Sequence, residues 1–199
     1  MDVRLERRKA FALFGRALLW LPLCLAAWYF ASVPISWVGA TLARPAIHAA
    51  AGKIDAMKLD ASTATYSVHL VEAGYQRGRA PLEAVVDVEV KPRLYTFGLP
   101  FFLALALAAR ESRRASAILA GTAVLTVVPA WGIAFDALRQ LGAAPQVAPL
   151  LGWPGWGREG VALGYQLGSL LLPTLVPIAL WLAAARGFWA APQPAGAAG

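Results

Sequence analysis

The stretch VVPAWGIAFDALRQL, residues 127–141, decides how this chain is read. It closes a long apolar run with Asp136, Arg139 and Gln140, whose spacings of three and four put all three side chains on one face of a helix. A charged group inside a membrane span costs about 2.5–3.5 kcal/mol on insertion scales, so it pairs or faces a protein interior. The other apolar runs carry almost no charge. The polar end of this run therefore marks one interface of a membrane segment, and the place where that segment meets its neighbours.

Composition points the same way. Of 199 residues, 59% are hydrophobic and 15% charged, against about 45–50% apolar and roughly 25% charged in soluble domains. The expected fold is an α-helical integral membrane protein with four transmembrane helices and a small extracytoplasmic insertion, a helix plus a β-hairpin, between helices 1 and 2. The single cysteine, Cys24, excludes an intrachain disulfide.

The net charge of +7 follows this topology. With the N-terminus in the cytoplasm, the inner segments hold nine cations (Arg4, Arg7, Arg8, Lys9, Arg16, Arg110, Arg113, Arg114, Arg186) against three acids, Asp2, Glu6 and Glu111. The outer segments hold nine cations against eight acids. Almost the whole excess is a positive-inside bias, which sets orientation. There is no basic stripe interleaved with exposed aromatics, so nucleic acid is not an expected partner.

In chain order, residues 1–16 form a basic cytoplasmic lead-in and residues 17–39 the first span, with Trp20 and Trp37 near its two ends. A cleaved signal peptide competes with this reading. Signal cores run about 7–15 residues, and this uncharged stretch is longer and carries Trp and Pro, which favours an uncleaved anchor. Residues 40–94 form the periplasmic region. Pro45 suits the first turn of a helix that would continue through Met57. Residues 64–72 alternate Tyr66, Val68 and Leu70 against Thr65, Ser67 and His69, and residues 83–91 alternate Val86, Val88 and Val90 against Asp87 and Glu89. Both read as half-buried strands, joined by a turn over residues 74–81. Two strands are marginal in water, so the hairpin must lean on the preceding helix, the membrane or a partner.

Residues 95–114 form the second span, completed inward by the snorkelling arginines at 110, 113 and 114. Residues 115–138 form the third span. Residues 139–160 are a periplasmic loop that rests Trp153 and Trp156 on the interface, and residues 161–185 are the fourth span. Residues 186–199 form a cytoplasmic disordered tail rich in Pro, Ala and Gly.

Tyr165 and Gln166 lie about one turn inside the fourth span, at the depth of Asp136, Arg139 and Gln140. Two readings of these five residues stay open: a docking surface for a partner or lipid headgroup, or an interfacial ion pair with interhelical hydrogen bonds that holds spans three and four together. His48 and His69 have no metal-ligand spacing, and there is no phosphate loop, G-x-S-x-G or H-E-x-x-H motif. Neither a cofactor nor catalysis is expected.

Three passages carry a family resemblance: VEVKPRLYTFGLPFFLALALA at 88–108, PAWGIAFDALRQL at 129–141 and ALGYQLGSLLLPTLVPIALWLAAARGF at 162–188. In this order and spacing they resemble the exosortase H-associated membrane proteins of Gram-negative bacteria. The resemblance implies an inner-membrane companion of an exosortase, a transpeptidase-like cysteine protease that processes proteins bearing a C-terminal sorting tail. Cys24 sits mid-span with no following Ser-Gly, so the chain lacks the protease's own pattern. The implied partners are the exosortase, its sorted substrates and membrane lipid. The competing function is a small transporter or lipid-binding protein that uses the polar cluster between spans three and four.

Overall fold

The computed structural model describes residues 3–60, 62–72, 82–109 and 115–184. A single helix, α1 (Val3–Ala50), runs through the proline at 22 and those at 34 and 45. Its 48 residues rise about 72 Å at 1.5 Å each, more than twice a hydrocarbon core of about 30 Å. The helix therefore has length left over at its C-terminal end, and that end carries the sheet.

The sheet has three antiparallel strands in the order β1 (Lys53–Asp60), β2 (Thr63–Val71), β3 (Glu83–Val90). The sequence reading of a helix through Met57 and a two-stranded hairpin is corrected here. The helix stops at Ala50 and the chain turns at Gly52, whose φ of 146° is open to glycine and disfavoured for other residues. A side chain there would also strike the His69 carbonyl. The strand that follows was hidden by a bulge between Ile54 and Ala56, which breaks the alternation that brings Ile54, Met57 and Leu59 to the covered face. In β2, Tyr66, Val68 and Leu70 are buried, and Tyr66 pairs with Val88 and Val68 with Val86 across to β3. The two strands are closed by a bond from Glu72 N to Leu82 O (2.9 Å). The turn expected at 74–81, the arginines at 110–114 and the tail at 186–199 lie outside the described residues.

After β3 come a short turn of helix, α2 (Arg93–Thr96), and the apolar α3 (Gly98–Ala108). Next, α4 (Ala115–Val127) continues almost directly into α5 (Pro129–Ala143), because proline is tolerated where a helix begins. A short α6 (Ala148–Leu151) leads to α7 (Gly155–Gln166), a π-helical turn (Leu167–Leu171) and α8 (Leu172–Ala184). The last helix thus begins earlier than the expected residue 161.

Three helices are long and apolar enough to cross a membrane, Ala10–Ala50, Ala115–Ala143 and Gly155–Ala183. The expectation of four is met only in part. Arg93–Ala108 is apolar but shorter, about 24 Å at its 16 residues and so less than a hydrocarbon core.

Two cores hold the chain together. At the sheet end, Ala40, Ala43 and Ile47 of α1 pack with Tyr66, Val68, Val88 and Val90 of the sheet and with Ile133, Ala137 and Leu141 of α5. The sheet leans on α1 and α5, which supply the support a hairpin lacks alone. The Tyr66 phenol seals this contact by donating to the Ala40 carbonyl (2.8 Å). The second core joins Leu13 of α1 with Leu99 and Phe102 of α3, Leu125 of α4 and Trp181 of α8. The Phe102 ring lies on Gly121, one of several small residues that let these helices approach closely. Large side chains point outward instead: Phe11, Leu19 and Phe30 of α1 and Leu170 of the π-helical turn are mostly exposed, as suits a surface solvated by lipid.

Candidate functional site

The polar cluster forms where α5 passes beneath the sheet. Asp136 is buried, at 8% exposure. Its Oδ1 accepts from Arg139 Nη2 (3.1 Å) and from Gln140 Nε2 (3.3 Å). The Tyr95 side chain of α2 is buried beside the same carboxylate. The Gln140 amide also donates to the Glu89 carbonyl of β3 (2.9 Å), so it fastens helix and sheet together. The Arg139 guanidinium lies over the Tyr165 ring of α7, with 4.4 Å from Cζ to the centroid, in cation–π geometry. Four of the five residues singled out in the sequence therefore meet: Asp136, Arg139, Gln140 and Tyr165. Gln166 is exposed and makes none of these contacts.

One carboxylate serves two donors, and its cationic partner is held over an aromatic ring.

The same region contains contacts that the sequence reading passed over. Trp131 stacks on Phe135 at 4.6 Å between centroids and donates its indole N–H to the Gly164 carbonyl (3.0 Å). Arg93, which falls within the stretch 40–94 read as periplasmic, donates to Ser32 Oγ (2.9 Å) and lies 4.9 Å from the Tyr29 ring centroid. Trp28 donates to Thr96 Oγ1 (3.2 Å) beside it. Ser32 and Ser36 are both buried on α1. Two buried serines four residues apart in an apolar run are a signal that could have pointed to this second polar contact.

Trp153 was expected to rest on the interface. It packs against Gly142 and donates to the Ala50 carbonyl (2.9 Å), which satisfies one free carbonyl at the end of α1. Trp156, in α7, is largely exposed.

On the open face of the sheet, His69 lies between Asp55 Oδ2 (3.3 Å from Nδ1) and Glu83 Oε2 (3.4 Å from Nε2). Lys53 Nζ is 3.1 Å from Asp55 and, with help from His69, holds that carboxyl below its ordinary value. The neighbouring Ser67 hydroxyl donates to Asp87 (2.6 Å). The serine and the histidine are thus engaged by different carboxylates and do not form a nucleophile–base pair. Among the described residues no group of three or more His, Cys, Asp or Glu is placed to hold a metal ion. His48 lies apart on α1, with Nδ1 at 3.1 Å from the Gly52 carbonyl.

Comparison with curated proteins and with solved structures returns no match. A family model described as exosortase H-associated membrane protein matches residues 7–188, from the basic lead-in through α8 and including the whole polar cluster. The chain therefore belongs to the exosortase H-associated membrane proteins.

Proposed function

We propose that this protein is a non-catalytic accessory subunit of an exosortase-type protein sorting system, held in the bacterial inner membrane. The observation that carries the reading is the family match over residues 7–188, which takes in the sheet and the described helices from residue 7 of α1 onward. In this reading the chain crosses the membrane four times, with Arg93–Ala108 as a short second span. Both termini are cytoplasmic, in keeping with the basic residues at 4–9 and 110–114. The sheet stands in the periplasm, where it meets the exosortase or the tails of its substrates.

The polar cluster acts as the hinge pin that fixes the sheet on the bundle. This role is favoured over a transport or lipid-binding site there because the Asp136 carboxylate is already occupied by Arg139 and Gln140. The cavity beside it, lined by Arg139, Gly142, Trp153 and Arg158, has a volume of only about 180 Å³. Docking falls instead to the apolar groove between α1 and α4–α5. That groove is lined by Leu42, Ala46, Val127, Trp131 and Phe135 and has a volume of about 590 Å³. It is suited to a transmembrane helix of the exosortase, since membrane helices associate through shape and packing.

The test is genetic and biochemical. Removing this chain from cells that keep the exosortase is expected to leave sorted substrates unprocessed, and restoring it should recover processing. Expressing the chain without the exosortase is expected to process nothing. Processing by the chain alone would overturn the non-catalytic assignment.

A further inference from the structure

One helical face of α1 has a use that the exosortase reading does not absorb. Leu23, Phe30 and Trp37 recur every seven residues and are 64%, 83% and 54% exposed. They form a continuous apolar stripe up one side of the helix. Seven residues beyond Trp37, about 10 Å along the axis, the same line reaches Arg44, which is exposed. The stripe therefore changes from apolar to cationic at the step where a tryptophan marks the membrane interface.

Arg44 stands at a cavity of about 430 Å³ lined by Thr41, Arg44, His48 and Lys53. Among the described residues no carboxylate pairs with Arg44, whereas Lys53 is engaged by Asp55 at 3.1 Å. The Thr41 hydroxyl is buried and has no hydrogen-bond partner. An orphaned buried hydroxyl costs about 1–3 kcal/mol, so it is a group that a ligand oxygen would relieve. His48 Nδ1 faces the Gly52 carbonyl at 3.1 Å. His48 lines the same cavity.

From this juxtaposition we infer that Thr41, Arg44 and His48 form a binding site for an anionic glycerophospholipid of the leaflet on the sheet side. The phosphate is taken by the Arg44 guanidinium and the Thr41 hydroxyl, and an acyl chain lies down the stripe from Trp37 through Phe30 to Leu23. Arginine suits phosphate because its planar donors match two phosphate oxygens at once. The apolar stripe favours a lipid over a free anion, since inorganic phosphate would use the cavity and leave the stripe uncovered. The site lies on a different face of α1 from the groove assigned to docking, so it stands or falls independently of exosortase binding.

The experiment is native mass spectrometry of the full chain released from detergent, with a defined phosphatidylglycerol or phosphatidylcholine added at equal mole fraction. The wild-type chain is expected to retain phosphatidylglycerol several-fold more than phosphatidylcholine. Arg44→Gln should abolish that preference, while Lys58→Gln, an exposed cation on β1, should keep it. Unchanged retention in Arg44→Gln would overturn the site, as would equal loss in Lys58→Gln, which would mean diffuse charge attraction. Displacement of the lipid by millimolar inorganic phosphate would equally overturn the assignment to a lipid.

Discussion

Gly168 of the π-helical turn lies directly against Gly132 of α5, so closely that a Cβ on Gly168 would stand 2.6 Å from the Gly132 Cα. The obstacle is backbone, which cannot rotate away as a side chain can. Gly168→Ala is therefore expected to force the helices apart and to cost about 1–3 kcal/mol, as overpacking does. Gly160 of α7 has nothing within 4 Å of its would-be Cβ, so Gly160→Ala should be neutral or stabilising by up to about 1 kcal/mol through helix propensity. Thermal unfolding of the two variants in one detergent checks the contrast.

Asp136→Ala removes the acceptor shared by Arg139 and Gln140. Orphaning these donors in a partly buried site should destabilise the protein by about 2 kcal/mol. Because Gln140 also holds the Glu89 carbonyl, amide exchange should rise in β3 before it rises in α3. Uniform exchange across both elements would contradict a local joint.

Tyr66 gives the sheet its alkaline limit. Burial raises its phenol well above the ordinary value of 10, so the folded state disfavours the phenolate. The stabilising contribution is fully present below about pH 10, the unfolded value, and is lost as pH rises from there toward the higher folded value. Tyr66→Phe should lose about 1 kcal/mol at neutral pH, since the bond to the Ala40 carbonyl goes. It should also show a shallower decline in melting temperature above about pH 10.

Cys24 is the only thiol and is buried in α1. Among the described residues no hydrogen bond or ion pair engages Cys24, so Cys24→Ala should restore substrate processing in cells lacking the protein as fully as the wild type does. Loss of processing with normal accumulation would point to thiol chemistry.

Much of this architecture is legible in the residues themselves. Alternation in β2 and β3 marks Tyr66, Val68, Val88 and Val90 as the inward set, and the three- and four-residue spacings of Asp136, Arg139 and Gln140 bring them together on α5. What escaped was whatever depended on a local break in period or on contacts between distant segments. The bulge at Ile54–Ala56 disguised β1, and Gly52 reads as an ordinary glycine until its positive φ is seen. Arg93 and Ser32 are 61 residues apart and meet only because α2 folds back on α1. Gln166 shares the depth of Tyr165 but projects from a different side of the helix, an orientation that depth alone does not fix.

Physical association with the exosortase is the central expectation for this protein. The tagged full chain, extracted in a mild detergent from cells that express its exosortase, is predicted to co-purify with that enzyme through size exclusion. Substitution of Ala46 by Trp, to fill the apolar groove between α1 and α5, should reduce recovery of the complex without loss of the folded chain. Recovery of this protein alone, folded and monodisperse under the same gentle conditions, would contradict the central claim.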